Sequence, residues 1–126
     1  MTILSVDDSR TIRSTVRNMV QVLGVECLEA EDGEKALEVV KDKNVDLILL
    51  DWEMPVMNGL DFLKTIKEDP KLQAIPVIML TSVAQKERMI EAIRAGAKQY
   101  LTKPFTSEDL LTKLVQTLGI VNLEEI

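Results

Sequence analysis

A short, almost wholly apolar run stops at the carboxylate of Asp51 and narrows the possible folds more than any other part of the sequence: Val45-Asp46-Leu47-Ile48-Leu49-Leu50. The run lacks the alternation of polar and apolar residues that marks a half-exposed strand, so we predict a strand that is buried on both faces. Such strands are typical of parallel sheets covered by helices on both sides. Asp51 is therefore expected where a central strand emerges from the core.

Three other apolar runs stop at polar side chains in the same way. In open parallel sheets, ligand-binding and catalytic residues lie beyond the carboxyl ends of the strands. We therefore expect these polar groups to lie with Asp51 in one pocket. Each of them alone fits a plainer role as a helix cap or a surface residue, but their joint occurrence favours a site. The runs are Ile3-Leu4-Ser5-Val6 before Asp7-Asp8, Val77-Ile78-Met79-Leu80 before Thr81, and Tyr100-Leu101-Thr102 before Lys103.

Patterns typical of helices separate these runs. A further strand is expected from Glu26 to Ala30, and apolar residues at spacings of three and four indicate amphipathic helices, three of them capped by Ser9, Asp32 and Thr106. Residues 121–126 fit no pattern. The helices are expected to pack through Ile12, Val16, Met19, Val20 and Leu23; Ala36, Leu37 and Val40; Leu60, Leu63 and Ile66; Met89, Ile90 and Ile93; and Leu110, Leu111, Leu114, Val115 and Leu118.

Five strands that alternate with five helices at short connections predict an α/β fold. The expected form is a doubly wound, five-stranded parallel sheet with right-handed crossovers. The sequence shows no internal repeat, linker or low-complexity stretch. We therefore predict a single domain over residues 1–126.

Composition excludes several classes of protein. The net charge of -6 argues against nucleic-acid binding, because backbone phosphates attract a surplus of Lys and Arg. Histidine is absent from the sequence, which excludes Ser-His-Asp catalysis and histidine-ligated zinc. Cys27 has no partner for a disulfide within the chain and is expected as a buried small hydrophobe. No apolar run approaches the roughly 20 residues that cross a bilayer, and no leader pattern precedes the first strand, so we predict a cytoplasmic protein.

The polar strand ends predict a metal-assisted phosphoryl-transfer site. Asp7, Asp8 and Asp51 would form a cluster of like charges that needs a cation, and ligands that are all oxygen favour Mg²⁺ over zinc or copper. We expect Asp8 and Asp51 to bind the ion directly and Asp7 partly through water. The hydroxyl of Thr81 and the ammonium of Lys103 complete the groups that phosphoryl transfer uses. Asp51 is the best candidate for the acceptor because it ends the central strand.

Four motifs resemble those of the receiver domain of two-component response regulators. They are Val6-Asp7-Asp8-Ser9, Leu50-Asp51-Trp52-Glu53-Met54-Pro55, Leu80-Thr81-Ser82 and Tyr100-Leu101-Thr102-Lys103-Pro104-Phe105, and they follow the family's order along essentially the whole chain. The resemblance implies a flavodoxin-like sheet with strand order 2-1-3-4-5. That order would place the strands that end in the polar groups side by side.

The resemblance also implies a role for each acidic residue of these motifs. Asp51 would accept the phosphoryl group, and the acidic pair of Asp7 and Asp8 would hold Mg²⁺. Glu53 would offer its backbone carbonyl to the metal. Its carboxylate would then lie beside the phosphoryl group, where we expect it to hinder the attacking water and to slow hydrolysis by its charge and bulk.

Three further residues would bind or sense the phosphoryl group, by the same resemblance. Thr81 and Lys103 would bind phosphoryl oxygens, with the ammonium aimed inward by a cis Lys103-Pro104 bond. Thr81 would then move toward the phosphoryl group while Tyr100 turns inward, and this would remake the surface of helix 4, strand 5 and helix 5. The stretch from Lys86 to Lys103 has five basic and two acidic residues, which fits either a solvated helix face or a docking surface for an acidic partner.

The implied activity is a phosphorylation switch that catalyses only its own phosphorylation and dephosphorylation. The phosphoryl group would come from a partner histidine kinase or histidine phosphotransfer protein. We predict a stand-alone, monomeric receiver of the chemotaxis type, acting on a downstream target protein such as the flagellar motor switch. An intermediate carrier in a phosphorelay is the alternative within the family.

Two functions of other classes fit the same fold less well. A flavin carrier would need a Ser-, Thr- or Gly-rich phosphate loop after the first strand, where this chain has Asp7-Asp8. A metal-dependent phosphohydrolase acting on small substrates would need a lid or a substrate-reading aromatic pocket, and the sequence indicates neither. A colourless preparation without turnover of simple phosphate esters would exclude both.

Overall fold

Five strands alternate with five helices in the computed structural model, which describes residues 1–82 and 86–119. The strands form one parallel sheet in the order β2-β1-β3-β4-β5, so the predicted doubly wound fold and its strand order are confirmed. Residues 121–126 lie outside the described residues. The elements are β1 (Thr2–Val6), α1 (Arg10–Gln21), β2 (Glu26–Ala30), α2 (Gly33–Asp42), β3 (Leu47–Asp51), α3 (Gly59–Lys67), β4 (Val77–Thr81), α4 (Lys86–Arg94), β5 (Gln99–Thr102) and α5 (Ser107–Leu118).

The sheet has a hydrophobic core on each face, which explains the unbroken apolar run of β3. Ile48 and Leu50 belong to the core cluster that α2, α3 and α4 cover, whereas Leu47 and Leu49 belong to the cluster beneath α1 and α5. All four side chains are fully buried. Burial of such a side chain contributes about 1.5–3 kcal/mol, so the strand that carries Asp51 is held firmly in place.

Side-chain caps begin the helices that follow the strand ends. Ser9, Asp32 and Thr106 each accept a hydrogen bond from the backbone N–H three residues further on, as predicted. Asn58, which the sequence indicated only as part of a turn, caps α3 in the same way. A cap of this kind contributes about 1 kcal/mol, and it fixes where the loop ends and the helix begins.

The prediction for the packing face of α4 is wrong. Met89, Ile90 and Ile93 were expected to pack against the core, but they are 42%, 41% and 50% exposed. The residue of α4 that is buried is Ala92, and Ala95 packs against the same core cluster. Small side chains let the helix approach the sheet closely, so the large apolar residues are left on the outer surface.

Two expectations from composition have a structural outcome. Cys27 is only partly buried, because it lies on the edge strand β2; this burial raises the pKa of its thiol to about 11. None of the helices in the described part of the chain has the length and the apolar content needed to cross a membrane.

Candidate functional site

The polar strand ends meet at one edge of the sheet, as the sequence predicts. β3 and β4 end at Asp51 and Thr81, which are both buried, and Asp7 follows directly after β1. The cavity at this edge has a volume of about 250 Å³. It is lined by Asp8, Asp51, Glu53, Thr81, Ser82 and Lys103.

A close backbone contact fixes the position of Asp51. The N–H of Trp52 donates to the carbonyl of Leu80 at 3.0 Å, and the N–H of Gly59 donates to the carbonyl of Trp52 at 2.8 Å. A Cβ atom at Gly59 would lie 2.1 Å from the carbonyl oxygen of Asp51. Only glycine therefore allows the start of α3 to sit this close to the end of β3.

The loop after β1 is held on several sides around Asp7. The Asp7 carboxylate accepts a hydrogen bond from the N–H of Ser9 at 2.8 Å, and the N–H of Asp7 donates to the carbonyl of Ala30 at 3.1 Å. Arg13 donates to the Asp7 carbonyl at 2.6 Å and pairs with Glu29 at 3.1 Å. Arg13 was not predicted as part of the site, because nothing in the sequence distinguishes it from the other basic residues of α1.

Lys103 reaches into the carboxylate cluster. Its Nζ atom lies 2.7 Å from Oδ2 of Asp7 and 3.1 Å from Oδ1 of Asp51. The backbone N–H of Lys103 donates to the carbonyl of Thr81 at 2.7 Å, and the predicted cis bond to Pro104 is present. Burial alone would lower the pKa of Lys103, but the hydrogen bond to Asp7 and the charge of Asp51 raise it overall, so the side chain stays an ammonium.

The electrostatics of Asp51 show that the site has a surplus of negative charge. Burial raises the pKa of the Asp51 carboxyl to about 6, and the neighbouring charge of Asp7 acts in the same direction. Lys103 opposes both effects without cancelling them. A further cation near Asp51 would therefore be strongly attracted to the cluster.

The carboxylates have the spacing that a divalent cation requires. One oxygen atom from each of Asp7, Asp8 and Asp51 can be chosen so that all three lie within 4.8 Å of one another. Asp7 and Asp51 are buried, whereas Asp8 is exposed to solvent. Hard oxygen ligands with one open side suit Mg²⁺, which retains several of its waters when it binds to proteins.

An arginine that sequence reasoning did not assign to the site stands at its rim. Arg88 of α4 lies with its guanidinium 5.1 Å from the ring centroid of Trp52 and with Nη1 2.8 Å from Oε1 of Glu53. Nη1 has no aligned hydrogen-bond acceptor among the described residues, so its attraction to Glu53 is that of an ion pair. The Glu53 side chain is 64% exposed, and the residue lines the acidic cavity.

The two residues predicted to form the switch are both buried in this structure. Thr81 is 2% exposed and lines the cavity, and Tyr100 is 9% exposed and belongs to the core cluster beneath α2, α3 and α4. The switching role of these residues stays a prediction.

A larger groove lies away from the acidic cavity, between α1 and α5. Its volume is about 330 Å³, and its described lining is mostly apolar, with no titratable side chain. The chemistry of the strand ends therefore makes the smaller, acidic cavity the candidate site.

The fold and the acidic cavity together define a receiver domain, and comparison with known proteins agrees. The response regulator receiver domain family matches residues 3–115, and the chain belongs to this family. Chemotaxis protein CheY-3 of Vibrio cholerae is 44% identical over 115 residues, which cover 90% of this chain and 88% of that protein.

Solved structures show the same similarity. The chemotaxis protein CheY4 of Vibrio cholerae superimposes with a TM-score of 0.88 at 37% identity, over 93% of this chain and 98% of that chain. The receiver domain of the sensor histidine kinase PA1611 of Pseudomonas aeruginosa has a TM-score of 0.86 at 28% identity, over 94% of this chain and 97% of that chain. The latter structure has a magnesium ion coordinated in its active site cleft.

Proposed function

We propose that this chain is a response regulator of chemotaxis-type two-component signalling that is phosphorylated on Asp51. The observation that carries the proposal is the convergence of the Asp7, Asp8 and Asp51 oxygens within 4.8 Å, with the Lys103 ammonium among them. A carboxylate nucleophile, a cluster that attracts a cation and a fixed ammonium are the parts that phosphoryl transfer to aspartate needs. The chemotaxis role rests on the relatives.

The metal of this site would be Mg²⁺, which the carboxylates of Asp7, Asp8 and Asp51 and the backbone carbonyl of Glu53 would hold. The all-oxygen donor set and the raised pKa of Asp51 support this assignment, as does the magnesium ion in the similar PA1611 receiver domain. When bound, Mg²⁺ would neutralise charge on the transferring phosphoryl group.

Phosphoryl transfer proceeds from a phosphohistidine to Asp51. A carboxylate oxygen of Asp51 forms a bond to phosphorus while the phosphorus–nitrogen bond breaks, and the imidazole leaves with its electron pair. Lys103 and the Thr81 hydroxyl bind the equatorial oxygens. The 126 residues contain no histidine, so the phosphohistidine lies outside them, and we assign it to a sensor histidine kinase or a histidine phosphotransfer protein.

Phosphorylation is read out at the surface of α4, β5 and α5. Thr81 ends β4, and Tyr100 lies on the adjacent strand β5. Movement of Thr81 toward the phosphoryl group would therefore change the space available to the Tyr100 side chain. The exposed Met89, Ile90 and Ile93 give this surface an apolar patch that suits a protein target. The candidate target is the flagellar motor switch.

Several finer predictions accompany this function. The protein acts in the cytoplasm as a monomer, and residues 1–126 form a single receiver domain. A phosphorelay carrier differs in one observable property, because it passes its phosphoryl group on to a second histidine protein. Incubation of the phosphorylated protein with a phosphotransfer protein distinguishes the two roles.

Trp52 fluorescence provides the test of the proposed function. Trp52 follows Asp51 directly, so we expect Mg²⁺ to change its emission and a small-molecule phosphodonor to change it again. The Asp51→Asn variant should lose the second change. A donor response that survives in Asp51→Asn would contradict the assignment of Asp51 as the acceptor.

A further inference from the structure

The acidic cavity carries more negative charge than its inner cation balances. Asp8, Asp51 and Glu53 line it, Asp7 belongs to the same carboxylate cluster, and Lys103 is the one cation among the described residues that line the cavity. Lys103 is already engaged by Asp7 and Asp51, so the Glu53 carboxylate lacks a positive partner within the cavity. A phosphodonor is itself an anion, and an unbalanced carboxylate at the cavity mouth would repel it.

Arg88 supplies the missing positive charge from outside the cavity. Its Nη1 lies 2.8 Å from Oε1 of Glu53, and this nitrogen is buried although Glu53 is largely exposed. The guanidinium lies over the ring of Trp52, at 5.1 Å from the centroid, so the charge is held by an aromatic face as well as by the carboxylate.

The helix fixes this orientation of Arg88. Arg88 is four residues before the buried Ala92, so both lie on the inward face of α4, and Ala95, directly after the end of the helix, packs on the same core cluster. The Arg88 side chain is 26% exposed, unlike a solvated surface arginine. The outward face of α4, with Met89 and Ile93, has no part in the contact.

We propose that Arg88 is a positioning and charge-balancing residue for the phosphorylation site. It holds the Glu53 carboxylate at the cavity mouth and offsets its charge, so that a dianionic phosphodonor reaches Asp51. The inference rests on the proposed function. The protein should therefore react well with phosphodonors of high negative charge, and this reactivity should depend on the Glu53–Arg88 pair.

The reaction that tests the proposal uses acetyl phosphate. A carboxylate oxygen of Asp51 bonds to phosphorus, the bond from phosphorus to the acetyl oxygen breaks, and acetate leaves with the electron pair of that bond. The rate is followed by intact mass, because a change at Arg88 alters the surroundings of Trp52. With saturating Mg²⁺, we expect Arg88→Ala to react about two- to fivefold more slowly than wild type at low salt, an effect that salt weakens.

Matched variants separate charge from structure. Arg88→Lys retains the charge and should retain most of the rate, whereas Arg94→Ala, which removes a charge from the far end of the same helix, should react like wild type. Phosphoramidate carries less negative charge than acetyl phosphate near neutral pH, so Arg88→Ala should slow its reaction less. A general folding defect in Arg88→Ala would slow both donors equally and would contradict the proposal.

A double-mutant cycle tests whether Arg88 acts through Glu53. In a Glu53→Gln background no carboxylate has to be held or offset, so Arg88→Ala should slow the reaction with acetyl phosphate clearly less than in wild type, by the direct loss of one positive charge alone. If Arg88→Ala slowed the reaction equally in wild type and in Glu53→Gln, the inference would be overturned. It would also be overturned if wild type reacted with acetyl phosphate and Arg88→Ala reacted at the same rate. If wild type is not phosphorylated on Asp51 by either donor, the proposed function itself fails, and the inference fails with it.

Discussion

At the residue scale, Asp51 combines two properties that usually oppose each other. It is 6% exposed, yet the phosphoryl transfer proposed for it requires an ionised carboxylate. Its pKa, raised to about 6 first by burial and then by Asp7, still leaves it mostly ionised at neutral pH. In the metal-free protein, the charge of the proposed nucleophile is therefore electrostatically unfavourable, and a bound cation would relieve this cost.

The pH dependence of stability should reveal this cost in the metal-free protein. The pKa of Asp51 in the folded state, about 6, exceeds its ordinary value of 3.8, so ionising Asp51 costs stability as the pH rises between these values. Asp51→Asn removes that cost, and we expect it to raise the free energy of unfolding at pH 7 by roughly 1–3 kcal/mol. The advantage should disappear below about pH 4.

Denaturant unfolding in the presence of a chelator measures this difference at each pH. Added Mg²⁺ should reduce it, because the cation compensates the charge of Asp51 only in wild type. An Asp51→Asn variant that is less stable than wild type at pH 7 without metal would contradict the electrostatic account.

Glu53 should control how long the phosphoryl group stays on Asp51. Its carboxylate stands at the cavity mouth, where it opposes the approach of an attacking water by charge and bulk. We therefore expect Glu53→Asn to shorten the lifetime of the aspartyl phosphate, by about threefold or more. Decay of the phosphorylated mass after removal of the donor gives the lifetime. An unchanged lifetime would show that Glu53 does not hinder the water.

At the element scale, α4 joins the candidate site to the candidate output surface. Its inward face brings Arg88 to Trp52 and Glu53, and its outward face exposes Met89, Ile90 and Ile93. The cavity mouth and the apolar patch are therefore separated only by the width of α4, so a movement of this helix would affect both.

Substitutions on the two faces of α4 should differ in their effect on stability. Replacing Met89, Ile90 or Ile93 by Ser should change the free energy of unfolding by less than about 0.5 kcal/mol, since these side chains are exposed. Ala92→Leu should cost about 1–3 kcal/mol, because the added atoms have no room against the sheet. Denaturant midpoints compare the variants, and a large loss for Ile93→Ser would show that the outward face is packed.

The junction between β3 and α3 should tolerate no side chain at Gly59. A Cβ atom there would meet the carbonyl oxygen of Asp51 at 2.1 Å, so Gly59→Ala must displace one of the two elements. We expect a loss of about 1–3 kcal/mol in the free energy of unfolding together with weaker Mg²⁺ binding. Asp61→Ala, an exposed change in the same turn of α3, is the control. Unchanged metal binding in Gly59→Ala would contradict the proposed link.

At the scale of the whole molecule, the fold could be predicted because local signals agree with one another. The apolar run before Asp51 indicates a buried parallel strand, and the caps at Ser9 and Thr106 mark where helices begin. Polar residues at four strand ends then locate the site, since parallel strands present their carboxyl ends at one edge. The strand order itself came from the resemblance to receiver domains.

The errors and omissions have a common physical cause. The packing face of α4 was predicted from the largest apolar residues of the helix, whereas the face that packs on the sheet carries the small Ala92. Arg13 and Arg88 were missed because their roles depend on contacts between distant segments, with the Asp7 carbonyl and with Glu53. A basic residue in a helix gives no sequence signal that separates such a contact from a solvated charge.

Phosphorylation of Asp51 should be visible in the mass of the protein after incubation with a small phosphodonor and Mg²⁺. We predict one labile adduct of about 80 Da, the mass of a phosphoryl group, which peptide mapping places on Asp51. The adduct should be absent from Asp51→Asn and from wild type treated with a chelator. No adduct on wild type, or an adduct that persists in Asp51→Asn, would contradict the account.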